Sequence, residues 1–328
     1  MKNIAYGEML KLFEQILLKY GFSDEKAKLI SRIFADNSLD GVYSHGLNRF
    51  PIFIKTVKEN KVNIGKEPRR VSSNRSLENW DGQQGAGMYN AWLSMKRSVV
   101  LAKENGIACV SLFNNNHWMR GGTYGWLAAE SDCIGICFTN AVASMPPWGG
   151  KESRLGNNPI VIAVPRKEGH IVLDMAISQF SYGKMYEYEL ESKQLPYPGG
   201  FDENGELTTD PHSIRKTMRA LPIGLWKGSG LAMLIDIVLT ALSGGKSTAD
   251  VTPEWTDTGV SQCFIAIHQK NYHQSLIENI IEYTKSAHPA EKDGRIYYPG
   301  ERTLMIRKQN AENGIPVNEK VWERINSL

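Results

Sequence analysis

The sequence predicts an α/β or α+β fold, and three observations predict it. The first 60 residues place apolar side chains at helical spacing. From about Arg70 onward, short apolar runs alternate with Gly, Asn, Asp and Pro, and helical stretches are interspersed among them. The chain also lacks the G-x-G-x-x-G fingerprint between a strand and a helix, which disfavours an ordinary Rossmann domain within that class.

Taken in order, Met9, Leu12, Phe13, Ile16 and Leu17 recur at i, i+3, i+4, i+7 and i+8, an amphipathic helix that Gly21 ends. Ser23 caps a second helix, with Ala27, Ile30, Ile33 and Phe34 as its apolar face and residues 37–40 as a polar stop. A third is expected near residues 91–104. IACVSLF, CIGICFT, IVIAVP, IVLDMA and CFIAIH read as strands, several buried on both faces. PYPGGFDENGELTTDP, residues 196–211, is a loop or extended arm, either functional or a solvated connector. The run LAMLIDIVLTAL, residues 231–242, is a helix too short to cross a bilayer, and it carries Asp236.

The 328 residues suffice for one sizeable unit or for two to three packed subdomains. Hydrophobic residues at 41% and charged residues at 22% are ordinary for a folded globular chain. The 38 Lys and Arg against 35 acidic residues are scattered, so no electrostatic footprint for nucleic acid is expected. Cys109, Cys133, Cys137 and Cys263 form no C-x-x-C pair and have no His at zinc spacing. They read as buried thiols in a reducing compartment rather than as a metal site. Glu8, Lys11, Glu14 and Gln15 interrupt the start of the chain, which carries no signal-peptide pattern; the expectation is a cytoplasmic protein with no membrane partner.

Three constellations could carry chemistry. In SHGLNR, His45 and Arg49 are four apart, so a helix would put them on one face. Arg49 offers a planar fork for a carboxylate and His45 a proton near neutral pH, a pairing suited to a 2-oxo acid. The alternative is an exposed helix turn capped by Ser44. In NNNHWMRGGTYGW, Asn114, Asn115, Asn116, His117 and Arg120 stand between a strand and a Gly-rich turn. They either line a pocket or build a turn that accepts left-handed angles. In WKGSGLAMLIDIVL, Lys227 and the amides of Gly228, Ser229 and Gly230 open a helix, a place for a pyrophosphate or simply a packed helix start. Neither H-E-x-x-H nor G-x-S-x-G is present, and hydrolase readings lack support.

Six blocks in order, GVYSHGLNRFP, NNNHWMRGGTYGW, SMPPWGGKESRLGNNP, DMAISQFSYG, QLPYPGGFDENGELTTDP and LPIGLWKGSGLAMLIDIV, resemble the malate/L-lactate dehydrogenase family that lacks a Rossmann fold. The resemblance runs essentially from end to end. It implies a homodimer with a non-Rossmann NAD(P)-binding domain built on a largely antiparallel sheet, beside a helical domain formed by the two chain ends. The division implied is residues 1–70 with 303–328 for substrate and catalysis, and 71–302 for NAD binding and dimerisation.

The same resemblance makes His45 the proton donor and places Arg49 and Ser44 beside it as catalytic groups. Cofactor contacts fall on His170, Ile171, Val172, Leu173, Asp174, Met175 and Ala176, on Trp226 and Lys227, and on Gly300, Glu301 and Arg302. The first and last of these segments would contact it through backbone. Asn116, His117 and Asp202 are candidate substrate contacts. GNNP stands where many relatives have GTNP, so Asn157 changes the hydrogen bonding near the cofactor and the choice between NADH and NADPH stays open. The substrate implied is a 2-oxo sugar acid. Malate, lactate, ureidoglycolate and cyclic imines are the alternatives within the family, and a sugar-acid-binding protein without catalysis is the alternative outside it.

Overall fold

A computed structural model describes residues 2–254, 257–292 and 294–328. The helices Tyr6–Lys19, Asp24–Leu39 and Phe50–Lys58 form where the apolar spacing requires them. Lys26 N donates to the Ser23 hydroxyl at the start of the second. Their inner faces, with Phe13, Phe34 and Phe50 fully buried, close over Ile315, Val317, Trp322 and Ile325 from the far end of the chain. The strands Lys2–Ile4 and Ile315–Val317 pair antiparallel beside them, so the two ends build one core.

The middle of the chain forms a seven-stranded sheet in the order Arg69–Asn74, Leu77–Asp81, Ile107–Asn116, Thr258–His268, Cys133–Thr139, Ile160–Val164, Ile171–Met175. Only the contact between Leu77–Asp81 and Ile107–Asn116 is parallel. All the others are antiparallel. Gln262 lies opposite both Leu112 and Thr139, which sets the register of the central strand. The five expected strands are present, and the central one starts earlier than CFIAIH suggests.

Both faces of the sheet are covered. The helices Gly87–Asn105 and Gly122–Glu130 pack one side around Leu112, Tyr124, Phe264 and Cys137. On the other side the helix Trp226–Ser243 brings Ala232, Ile235 and Leu239 against Phe138 and Cys263. That helix is longer than the run 231–242, and by length and composition it is apolar enough to cross a membrane. Its inner face is nonetheless in the core, and Asp236 accepts from Asn140 Nδ2 at 2.9 Å and from Thr248 N at 3.0 Å. Its outer face exposes Trp226, Met233, Leu234, Ile237 and Val238 along one stripe. Residues 196–211 are mostly loop, with a two-residue hairpin between Gly200–Phe201 and Leu207–Thr208.

Candidate active site

A cavity of about 390 Å³ lies where the N-terminal helices meet the sheet. Its lining includes His45, Arg49, His117, Arg120, Asp174 and Asp257. Asn140, Ser144, Asn157, Tyr182 and Gln262 complete much of the wall.

His45 and Arg49 share the cavity, but not by helical spacing. Tyr43–His45 is a 3₁₀ turn, and Arg49 stands just before the helix Phe50–Lys58. The bend between them is held by the polar end of the preceding helix. Asn37 Nδ2 donates to the His45 carbonyl at 3.0 Å, and Leu47 N donates to Ser38 Oγ at 2.8 Å. A Cβ at Gly46 would lie 2.3 Å from Ser38 Oγ, so the turn needs a glycine there. The expected polar stop at residues 37–40 is therefore a buried scaffold, with Asn37 and Asp40 almost fully enclosed.

Ser44 Oγ lies 3.2 Å from His45 Nδ1, so a proton donated by the hydroxyl leaves Nε2 as the ring's other hydrogen-bonding group. Gly183 packs against this serine. A Cβ there would come within 2.7 Å of Ser44 Cβ.

Facing His45, the His117 ring lies parallel to within 12°, with centroids 5.7 Å apart. Met119 N donates to His117 Nδ1 at 2.9 Å, so neutral His117 carries its proton on Nε2. That nitrogen is 3.8 Å from Asp257 Oδ2. Burial holds the His45 pKa well below its ordinary 6.5, and the neighbouring His117, Arg49 and Arg120 add to the effect while Asp257 opposes it. Burial, then Arg49, also holds His117 well below the usual range.

The Arg49 guanidinium makes no hydrogen bond and no ion pair with any described residue. Burial lowers its pKa and Asp257 opposes the shift. Arg120, by contrast, is tied down. It pairs with buried Asp40, which also accepts from Arg307 Nε at 2.6 Å. Arg120 Nε lies 3.7 Å from Asp174 Oδ2 and has no hydrogen bond of its own. Burial raises the pKa of Asp174, opposed by Arg120 and by the Gly122 amide.

Other expected site residues lie elsewhere. Asn116 lies outside the cavity lining, and its Nδ2 donates to the carbonyls of Lys61, Gln84 and Gly85, so it fastens backbone. Asn115 is likewise spent on Gln262 Oε1 at 2.8 Å, and Asn114 sits at φ 52°, so the turn reading suits the asparagines and the pocket reading suits His117 and Arg120. Asp202 is outside the cavity. Its Oδ1 accepts from Asn204 N and Glu206 N at 2.9 Å and shapes the hairpin turn.

The expected cofactor segments are partly joined. The strand Ile171–Met175 runs from Val172, whose N donates to the Pro299 carbonyl at 2.9 Å beside Gly300, to Asp174 and Ala176 in the cavity wall. Gly300 adopts φ 95° before the helix Glu301–Asn313, and a Cβ there would lie 3.1 Å from Val172 N. Both segments thus fit one continuous edge that leads to His45. Trp226 and Lys227 do not reach the cavity, and Trp226 is 64% exposed. A Cβ at Gly228 would meet the Ile223 carbonyl at 2.1 Å, so that glycine serves helix packing. Among the described residues no group of three or more His, Cys, Asp or Glu could hold a metal ion.

Sequence reasoning missed Asp257. It is a lone acid before a strand, and only the fold carries it opposite His117.

An imidazole and an unpartnered guanidinium lining one cavity of this size are chemically suited to a small anion that exchanges a proton. The family model for malate/L-lactate dehydrogenase matches residues 4–326. The chain belongs to the malate/L-lactate dehydrogenase family, NAD(P)-dependent oxidoreductases acting on 2-oxo and 2-hydroxy acids. It is 41% identical over 332 residues to the 2,3-diketo-L-gulonate reductases of Escherichia coli and Citrobacter koseri, covering 99% of this chain and 100% of each relative. Sulfolactate dehydrogenase from Methanocaldococcus jannaschii superposes with a TM-score of 0.89 at 29% identity, over 99% of this chain and 96% of that one. Malate dehydrogenase from Pyrococcus horikoshii gives 0.90 at 29% identity, over 99% and 94%.

Proposed function

We propose that the protein reduces 2,3-diketo-L-gulonate at C2 to 3-dehydro-L-gulonate, with NADH as the preferred cofactor. The observation that carries this reading is the free Arg49 guanidinium beside His45 and His117, in a chain 41% identical to reductases of that name.

Arg49 holds the substrate carboxylate through a two-pronged, charge-assisted bond. His45 gives a proton to the oxygen of the reduced carbonyl, and Ser44 fixes the ring that gives it. His117 contacts a substrate oxygen from the opposite wall. The neighbouring cations disfavour a positive charge on His45. A carboxylate seated on Arg49 cancels one of them, so His45 takes up its proton as the acid binds. When bound, the nicotinamide cofactor supplies the hydride, and residues 170–176 and 300–302 are the segments that would hold it.

Residues 1–70 with 303–328 serve as the substrate part, and 71–302 as the cofactor and pairing part. The exposed stripe on Trp226–Ser243 supports a homodimer, since contiguous apolar surface of this kind marks an interaction site. Cys109 and Cys263, whose sulfurs lie 3.4 Å apart as free thiols, support a reducing, cytoplasmic setting.

The test is oxidation of NADH and of NADPH against a panel of 2-oxo acids. The expected result is the highest kcat/KM with 2,3-diketo-L-gulonate and NADH. A clear preference for oxaloacetate, pyruvate or a cyclic imine would overturn the substrate assignment.

A further inference from the structure

We propose that Asp257 is a positioning residue of this site: it orients His117 across from His45 and supplies the negative charge that faces the His45, His117 and Arg49 cluster. The inference rests on the reading of His45 as proton donor and extends it to the group that makes the donor chargeable.

The geometry starts in the backbone. Asp257 immediately precedes the central strand Thr258–His268, whose register against Ile107–Asn116 shifts between Thr258 and Val260 and again between Val260 and Gln262. Such irregular pairing re-aims side chains at a sheet end, and here Asp257, Val260 and Gln262 all face the cavity. Val142 N donates to Asp257 Oδ1 at 3.2 Å, which fixes the carboxylate and leaves Oδ2 toward His117.

His117 is held from the other side. Its Nδ1 is occupied by the Met119 amide at 2.9 Å, in a turn where Met119 adopts φ 66°. Nε2 is thereby turned toward Asp257 Oδ2 at 3.8 Å, beyond direct hydrogen-bond distance and within the range of an ion pair when the ring is protonated.

The charges around His45 then divide cleanly. From the N-terminal part comes Arg49; from the end of the strand Ile107–Asn116 and the turn after it come His117 and Arg120, all disfavouring a charged His45. Asp257 alone among the named neighbours of His45 favours it. Asp174 also lines the cavity, and Arg120 stands against it; Asp40, behind the wall, is shared by Arg120 and Arg307. Arg49, the carboxylate-binding group, feels Asp257 too. A single carboxylate thus moderates both the proton donor and its anion anchor.

The test uses the full-length protein with ¹⁵N-labelled histidine and no substrate, comparing wild type with Asp257→Asn and Asp257→Glu. Asn retains an oxygen for the Val142 amide, and Asp257→Ser is the second neutral variant should Asn not fold. The expected result is that the neutral variants move the His117 and His45 titration midpoints to lower pH by about one unit while Glu leaves them near wild type. With NADH and 2,3-diketo-L-gulonate, kcat for the neutral variants falls on the order of tenfold near neutral pH, KM changes less than kcat, and the limb over which activity declines with rising pH moves with the NMR midpoints. Unchanged midpoints in both neutral variants would overturn the proposal. The NMR arm needs no substrate, so failure of the substrate assignment leaves it standing and is read separately in the acid panel.

Discussion

At the scale of single residues the site divides into a group that moves a proton and a group that holds charge. His45→Asn removes the first, and turnover should fall about 10²- to 10⁴-fold while NADH affinity by fluorescence titration stays near wild type. Arg49→Ala removes the second. It should raise KM for the acid on the order of 10- to 100-fold with a much smaller change in cofactor affinity. The pH dependence has a definite sign. His45 must be protonated to act in reduction, and burial holds its pKa below 6.5 in the free protein, so kcat/KM for reduction should decline as pH rises through that lowered value. Stability runs the other way. Two imidazoles buried neutral bind fewer protons folded than unfolded, so their contribution is complete above about 6.5 and is lost as pH falls toward the folded values.

Among elements, the decisive join is made by Asp40 at the end of the helix Asp24–Leu39. It takes Arg120 from the turn after the strand Ile107–Asn116 and Arg307 from the helix Glu301–Asn313, so three distant segments meet on one carboxylate. Asp40→Ala would remove the hydrogen-bonded carboxylate of Arg120, only 6% exposed, and leave it Asp174 alone at 3.7 Å, and should cost about 3 kcal/mol in urea denaturation. The periodic parts of these elements were legible in the sequence. Helix spacing and apolar strand runs follow from burying one face or both, a local requirement written in consecutive residues. That His45 and Arg49 share one cavity was suggested by their residue types, yet the i, i+4 geometry that suggested it is not the one found, because Asn37, Ser38 and Gly46 impose a 3₁₀ turn and a bend. Asn116 and Asp202 misled for a related reason: an asparagine at a strand end and an aspartate in a turn satisfy backbone as readily as they bind ligand. Asp257 gave no local signal, since its meaning depends on which strand lies beside the one it starts.

For the whole molecule, two chain ends form one core and the middle forms the sheet, an arrangement that periodicity alone does not reveal and the family resemblance does. The apolar stripe on Trp226–Ser243 belongs to this scale. Leu234→Glu changes a side chain that is 55% exposed in the single chain, so folding should persist while sedimentation shifts from dimer to monomer. The sheet order also fixes a timetable for synthesis. Its middle strand, Thr258–His268, leaves the ribosome after all six of its companions, and until it arrives Ile107–Asn116 and Cys133–Thr139 each keep an edge with no partner. A chain that stopped before residue 258 would lack the strand that joins the two three-stranded halves of the sheet and lines the cavity with Val260 and Gln262. Asp257, at the head of that last strand, can therefore face His117 only once the strand has been made and paired on both sides.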